Sequence, residues 1–168
     1  FDYLQRDGSD DPDERTWLRD ETGGSVYLRL STNPIEQPGR RRDDSFKQGT
    51  IDGAYWLREP GPNCEVVIAY QGVVAPEAIK AAGIIGESRR DIGVLAVTSA
   101  DRLNAGWAAA QRARSKGLTD AKSHIERLLE NIPSHCSLVT AIDGHPATLA
   151  WLGSVIGHRT VPLGVERF

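Results

Sequence analysis

The sequence contains no methionine and only two cysteines, Cys64 and Cys136, among its 168 residues. The cysteines form no Cys-x-x-Cys pair and no Cys/His ladder, so the sequence predicts neither a disulfide framework nor a structural zinc site. We interpret both as reduced thiols in a cytoplasmic protein. Because a natural chain normally begins with methionine and this one begins with Phe1, we expect the sequence to be a fragment.

Long apolar runs and a basic surplus are also missing. No apolar run approaches the roughly 18 residues that would span a bilayer, and the first residues are acidic, unlike those of a signal peptide. Twenty basic side chains stand against 23 acidic ones, which gives a formal charge of −3. A dedicated nucleic-acid binder carries a basic surplus instead. We therefore expect no membrane partner, no secretory signal and no nucleic-acid partner.

Motifs that would define a self-contained active site are absent as well. The chain has neither the GxGxxG nor the GxxxxGK[ST] pattern that cradles phosphates. It has no GxSxG elbow to present a nucleophilic serine, which disfavours a Ser/His/Asp hydrolase. His124, His135 and His158 share no metal-ligand spacing, and we interpret them as surface or capping groups.

What the sequence does contain is an alternation of apolar strands and capped helices. Ser99 is a candidate helix N-cap, and Ser123 to Glu126 matches a capping box. Leu103, Trp107 and Ala110 form one stripe that we expect to be buried as core. The predicted strands after residue 52 cover 53–58, 64–70, 93–98, 138–142 and 160–165, and the predicted helices cover about 76–90, 99–117, 123–132 and 146–157. A further strand is predicted at 25–32, followed by a connecting segment.

This alternation implies parallel pairing through right-handed crossovers. We predict an α/β fold with an open, doubly wound, mostly parallel sheet and helices on both faces. The expected edge strand is 53–58. Ligands of such sheets bind beyond the carboxyl ends of the strands. Those ends carry the polar residues Gln71, Ser99, Asp101, Asp143 and His145.

Ser99, Asp101, Asp143 and His145 are the candidate site residues on this edge. Ser99 is also explained as a helix cap, and Asp143 as a turn residue beside Gly144. We expect His145 to position a loop by hydrogen bonding rather than to transfer a proton. The prediction is that these four residues border an active site or an interface, and that the chain holds no catalytic, cofactor-binding or metal-binding residue of its own.

A resemblance lies in the succession of strand patterns at 26–32, 53–57, 64–72, 94–99 and 163–168. This succession resembles the C-terminal part of thiamine-diphosphate-dependent transketolase-like enzymes. Within that group it looks most like the homodimeric decarboxylase component of the pyruvate dehydrogenase complex. The strand end at Ser99, followed by Asp101, Leu103 and a Trp-containing helix, suits the 2-oxoacid dehydrogenase pattern better than that of transketolase itself.

The resemblance implies three segments: 1–32 as the tail of the pyrimidine-binding domain, 33–52 as an interdomain linker, and 53–168 as a transketolase C-terminal-like domain that is incomplete at its C-terminal end. It implies an enzyme that oxidatively decarboxylates a 2-oxoacid of the pyruvate type. Thiamine diphosphate and magnesium would be bound by upstream domains, not by this chain. The implied partners are a second identical subunit and the lipoyl-bearing acyltransferase of a multienzyme complex.

Two alternatives stay open at this point. One is transketolase proper. The other is a stand-alone flavodoxin-like module that binds a small ligand or mediates assembly. A reading frame that extends upstream of Phe1 and includes a Gly-Asp-Gly segment is expected for the enzyme but not for the stand-alone module.

Overall fold

The computed structural model describes residues 34–36, 38–40, 43–88 and 91–167. The chain divides into two compact units, 1–34 and 35–168, and every element given below belongs to the second. The strand expected at 25–32 lies outside the described residues.

Five strands form one sheet in the order β1-β3-β2-β4-β5. Neighbouring strands run parallel except β1, which pairs antiparallel with β3. The strands are β1 Ala54–Arg58, β2 Val66–Gln71, β3 Gly93–Val97, β4 Ser137–Ile142 and β5 Thr160–Leu163. The prediction of an open, mostly parallel α/β sheet is therefore confirmed, and so is the position of β1 at an edge.

Within the described ranges, six α-helices flank the sheet: α1 Asp44–Asp52, α2 Ala75–Ser88, α3 Ala100–Ser115, α4 His124–Leu129, α5 Ala147–Ala150 and α6 Gly153–Ile156. Side chains of α1 and α2 pack on one face of the sheet, against residues such as Ile68 and Tyr70. Side chains from α3 to α5 pack on the other, against Val67, Ala69 and Leu138. Strand β3 is buried along its whole length because both faces are covered.

A helix replaces part of the predicted connecting segment. Asp43 caps α1 by accepting a 2.9 Å hydrogen bond from the Phe46 amide, and Gly53 ends it with a left-handed φ of 109°. The Phe46 ring meets Tyr55 of β1 edge to face, with centroids 4.8 Å apart. Sequence periodicity missed this helix because a single aromatic contact anchors it, rather than a repeated apolar stripe.

The helix expected at 146–157 is interrupted. Residues 147–150 and 153–156 form two short helices, α5 and α6, separated by Trp151 and Leu152. Trp151 stacks on Trp107 of α3, with ring centroids 5.4 Å apart. Leu103 and Ala110 are buried as predicted, but Trp107 is only half-buried because its partner ring also lies near the surface.

Candidate functional site at the carboxyl edge of the sheet

The carboxyl edge of the sheet is the edge where β2, β3, β4 and β5 end. At this edge the segments that follow the neighbouring strands β2 and β4 cross to opposite faces of the sheet. After β2 the chain enters α2 on one face, and after β4 it enters α5 on the other. The last residues of these strands, Gln71 and Ile142, are paired in register. This divergence is a topological switch point, the position where open α/β sheets bind their ligands.

Two of the candidate residues follow β3. Ser99 caps α3, with its Oγ accepting a 3.3 Å hydrogen bond from the Arg102 amide. Asp101 is exposed in the first turn of α3, where a carboxylate suits the helix dipole. The prediction of Ser99 as an N-cap is confirmed. Its hydroxyl accepts a hydrogen bond from the backbone amide of Arg102, and the hydrogen bonds of the described residues do not join it to a histidine that could act as a general base.

The other two candidates follow β4. Asp143 and His145 are both exposed on the loop that leads into α5. The Nδ1 atom of His145 accepts a 3.2 Å hydrogen bond from the Ala147 amide. The contact holds the imidazole against the backbone at the start of α5, which is a positioning geometry.

The structure brings the four candidates to the same edge but not to one cluster. Strand β2 separates β3 from β4, so the two pairs lie two strand spacings apart, about 9–10 Å at the backbone. Among the hydrogen bonds and ion pairs of the described residues, none joins Ser99 or Asp101 to Asp143 or His145. The arrangement gives no support to a Ser/His/Asp hydrolase.

Gln71 and Gly72, at the end of β2, lie between the Ser99/Asp101 pair and the Asp143/His145 pair. Their position at the switch point follows only from the order of the strands in the sheet. The Oε1 atom of Gln71 is buried without a hydrogen-bond partner. Gly72 has a φ of 76°, and a Cβ built there would meet nothing within 4 Å. The chain therefore turns sharply beside open space, with one buried carbonyl oxygen left unsatisfied.

The loop after β4 is held by the residues that directly follow β5. The Val165 amide donates a 2.8 Å hydrogen bond to the Gly144 carbonyl. Gly164 lies so close to Gly144 and Pro146 that a Cβ there would clash with both. The loop that carries Asp143 and His145 is thus braced from one side, which suits side chains that present a fixed surface.

The β3 side of the edge is tied to α1. Thr98 donates through Oγ1 to the Thr50 carbonyl at 2.7 Å, and Arg102 donates to the Ile51 carbonyl at 3.1 Å. The Gly53 carbonyl accepts from the amides of Thr98 and Ser99. The end of α1 and the start of α3 are thereby locked together.

Tyr70 lies buried on β2 immediately before Gln71. Burial raises the pKa of its phenol, the neighbouring Tyr55 hydroxyl adds to the rise, and the Arg40 guanidinium opposes it. Arg40 also donates a hydrogen bond to the Tyr55 hydroxyl. These groups support the α1 face of the sheet and do not reach the carboxyl edge residues through any described hydrogen bond.

Two histidines expected at the surface are partly or wholly inside. His124 is half-buried, with Nε2 2.8 Å from the Ala54 carbonyl oxygen, and it links α4 to β1. His158 is 7% exposed, and its Nε2 lies 3.0 Å from the Pro133 carbonyl oxygen. The interpretation as a surface or capping group was wrong for His158, whose ring is buried. In both histidines a carbonyl oxygen from a distant segment reaches the ring, which sequence spacing does not show.

Among the clefts that the described residues form away from the carboxyl edge, two hold several charged side chains. One of about 770 Å³ runs beside β1 between α1 and α4 and includes Arg40, Trp56 and His124. The other, of about 450 Å³, lies near the end of α3 and includes Arg114, Lys122 and His158. In the second cleft the charged groups are paired with each other, Arg114 with Glu126 and Lys122 with Glu130, both at 2.7 Å.

The described residues do not fit thiamine diphosphate or magnesium. No group of three or more His, Cys, Asp or Glu side chains in the described ranges is arranged to hold a metal ion. The exposed side chains at the carboxyl edge include two acids, Asp101 and Asp143, which would repel an unpaired diphosphate. The acidic side chains of this edge therefore disfavour that cofactor.

Within the described part of the chain, no helix combines the length and the apolar character that a membrane crossing requires. Comparison of the chain with protein-family models gives no match, and comparison with curated protein sequences gives none either.

Proposed function

We propose that this chain is the C-terminal part of a thiamine-diphosphate-dependent 2-oxoacid dehydrogenase, of the type that decarboxylates pyruvate and passes the acyl group to lipoyl. Its role in that cytoplasmic enzyme is to complete the homodimer and to border the entrance of an active site built by upstream domains. The cofactor and its magnesium would be held upstream. The lipoyl-bearing acyltransferase would be the partner of the whole enzyme.

The observation that carries the proposal is the coincidence of the family-like segments with the sheet. Residues 53–57, 64–72 and 94–99 cover β1, β2 and β3 with the turns that follow β2 and β3. The segment from 163 onward begins at the last residue of β5. The resemblance therefore lies on the elements that build the fold and its carboxyl edge, and not on exposed loops alone.

The carboxyl edge supports a bordering role rather than a catalytic one. Asp101, Asp143 and His145 are exposed, and the side chains of Ser99 and His145 accept hydrogen bonds from helix backbone. Such groups can line an interface or an entrance without changing their bonding. Asp101 and Asp143 add negative charge, which favours a basic partner surface over an anionic one.

The experiment is an assay of the whole polypeptide that the gene encodes, loaded with thiamine diphosphate and magnesium. Pyruvate decarboxylation should be measured with an artificial electron acceptor, and acyl transfer with an isolated lipoyl domain. Turnover in both assays is the expected result. Activity only with a ketose donor and an aldose acceptor would favour transketolase instead, and a gene that starts near Phe1 with no activity would favour the stand-alone module.

Variants of the carboxyl edge test the bordering role in the same enzyme. His145→Ala should lower turnover by less than the roughly 10²-fold minimum typical of losing a general acid or base. His135→Ala is the matched control, because His135 is an exposed histidine at the opposite edge of the sheet. A loss above about 10²-fold with dimer and cofactor affinity intact would make His145 a proton-transfer group.

The chain alone should neither bind thiamine diphosphate nor turn over a 2-oxoacid. Isothermal titration of the 168-residue chain with thiamine diphosphate and magnesium should give no saturable heat. One-to-one binding at micromolar affinity would show that the cofactor site lies within this chain and would overturn the assignment of cofactor binding to upstream domains.

A further inference from the structure

The two cysteines, distant in sequence, meet at the amino edge of the sheet, the edge where β2 to β5 begin. Cys64 precedes β2 and Cys136 precedes β4, and these two strands are neighbours. Their Sγ atoms are 3.7 Å apart. Cys64 is 0% exposed and Cys136 is 1% exposed, so the pair is sealed inside the main core.

The two sulfurs are in contact but not at bonding distance. Cys64 and Cys136 lie just before two paired strands, and their Sγ atoms would have to close from 3.7 Å to the roughly 2.05 Å of a disulfide bond. Each sulfur also has a backbone acceptor nearby, the Val66 carbonyl for Cys64 and the Ser137 carbonyl for Cys136. Small side-chain rotations that exchange these contacts would bring the sulfurs to bonding distance.

We propose that Cys64 and Cys136 form an oxidation site, at which exchange with a small soluble disulfide such as oxidised glutathione produces an intramolecular disulfide. One cysteine, as thiolate, attacks the small disulfide, forms a mixed disulfide and releases one small thiol. The second cysteine attacks the protein sulfur of that mixed disulfide and releases the other small thiol. The protein loses two electrons and two protons, and the small disulfide gains them as two thiols.

Burial sets the speed of this exchange. It raises the pKa of the Cys136 thiol to about 12, and the nearby Cys64 thiol adds to the rise. The thiolate is the attacking species, so the closed structure is slow to react. Exchange proceeds when the amino edge opens locally, and its rate reports the population of that opening. The second step takes place while the edge is still open, because the mixed disulfide does not fit into the sealed core, and the edge recloses once the second small thiol has left.

The Cys64–Cys136 disulfide would crosslink two neighbouring strands in the middle of the sheet. A bond between residues 64 and 136 links β2 to β4 and encloses α2, β3, α3 and α4 in one loop. Crosslinks over long loops restrict the unfolded chain. The oxidised form should therefore unfold at a higher temperature than the reduced form, and a dithiol reductant should reverse the change.

The test uses the whole 168-residue chain, reduced and then incubated with oxidised glutathione at neutral pH. Peptide mapping without reductant should yield a Cys64–Cys136 linked pair, with the intact mass lower by two hydrogens. Below the unfolding midpoint, added urea should raise the rate at least about tenfold, because it increases the open population. Cys64→Ala and Cys136→Ala are the controls and should stop at the mixed disulfide with glutathione.

Three results would overturn the proposal. The first is a stable mixed disulfide in the unmutated chain, which would mean that the sulfurs cannot bond. The second is crosslinked dimers in place of the internal pair. The third is a rate that urea leaves unchanged, which would contradict gating by local opening. The peptide map needs no variant, so the proposal remains testable even if one alanine variant fails to fold.

Discussion

The two edges of the sheet differ in what they expose. At the amino edge, Cys64, Cys136 and His158 are buried, and Ile92 closes the start of β3. At the carboxyl edge, Asp101, Asp143 and His145 are exposed. The buried groups of the amino edge belong to the core and contribute stability, whereas the exposed groups of the carboxyl edge are free to carry recognition. Substitutions at the two edges should therefore separate stability from function.

The largest effect is expected from truncation of a core side chain at the amino edge. Leu138, the second residue of β4, is 1% exposed. Leu138→Ala should lower the free energy of unfolding by about 2–5 kcal/mol, because it leaves a cavity that the sheet cannot collapse to fill. Asp143→Ala, at the other end of the same strand, should stay within about 0.5 kcal/mol. Urea unfolding of both variants measures the difference, and equal losses would contradict the contrast between the edges.

The contrast has one expected exception, at the place where α1 docks beside β3. Gly53 has a φ of 109°, and a Cβ there would lie 2.9 Å from both the Leu103 Cγ and the Ser99 carbonyl oxygen. Gly53→Ala should cost about 1–3 kcal/mol from strain and crowding together. Gly117→Ala is the control, because Gly117 has a φ of 94° with nothing within 4 Å. If the two variants lose the same stability, crowding at Gly53 contributes nothing.

The sequence predicted the parts of this picture that depend on local chemistry. The Ser99 cap and the capping box at Ser123 and Glu126 were confirmed because each is a contact between residues three apart. Helix α1 was missed because its anchor, the contact of Phe46 with Tyr55, forms only after β1 joins the sheet. Pairing of Cys64 with Cys136 was equally invisible, since it depends on strand order rather than on spacing.

The sequence could predict which edge of the sheet carries the candidate site, but not how the site residues are arranged along that edge. Sequence reasoning placed Asp143 and His145 after a strand, which the structure confirms. It could not show that β2 separates them from Ser99 and Asp101, because the strand order follows from which face each crossover covers. For the same reason it could not single out Gln71, whose buried Oε1 marks the switch point only once β4 lies beside β2.

A smaller effect is expected away from both edges, at the start of α4. Burial by itself would raise the pKa of Glu126, but hydrogen bonds from Arg114 and from the Ser123 amide and hydroxyl outweigh it and hold that pKa below its usual range. Because the pKa is lower in the folded state, the stabilisation is present above the ordinary glutamate value of about 4.3 and is lost as pH falls through the folded value.

Glu126→Gln should therefore lower the free energy of unfolding by about 1–2 kcal/mol at neutral pH. It should also reduce the fall in the free energy of unfolding as the pH is lowered through the acidic range. Glu130→Gln is the matched control, because Glu130 and its partner Lys122 are 42% and 59% exposed. Exposed pairs contribute about 0–1 kcal/mol. Urea midpoints between pH 3 and pH 7 measure the effect (roughly the range in which carboxylates titrate). An unchanged fall through the acidic range in Glu126→Gln would show that other carboxylates dominate it.

The smallest effect on stability is expected at His145, an exposed residue of the carboxyl edge. Its ring is exposed and accepts one hydrogen bond from the Ala147 amide, which water can replace. His145→Ala should change the free energy of unfolding by no more than about 0.5 kcal/mol. His158→Ala, at the amino edge, removes a buried contact to the Pro133 carbonyl and should cost about 1–3 kcal/mol. Thermal and urea unfolding of the two variants compares one histidine at each edge directly. If His145→Ala lowered the free energy of unfolding as much as His158→Ala, the carboxyl edge would be part of the stabilising core. The exposed residues of that edge would then be unsuited to a surface that meets another domain or subunit.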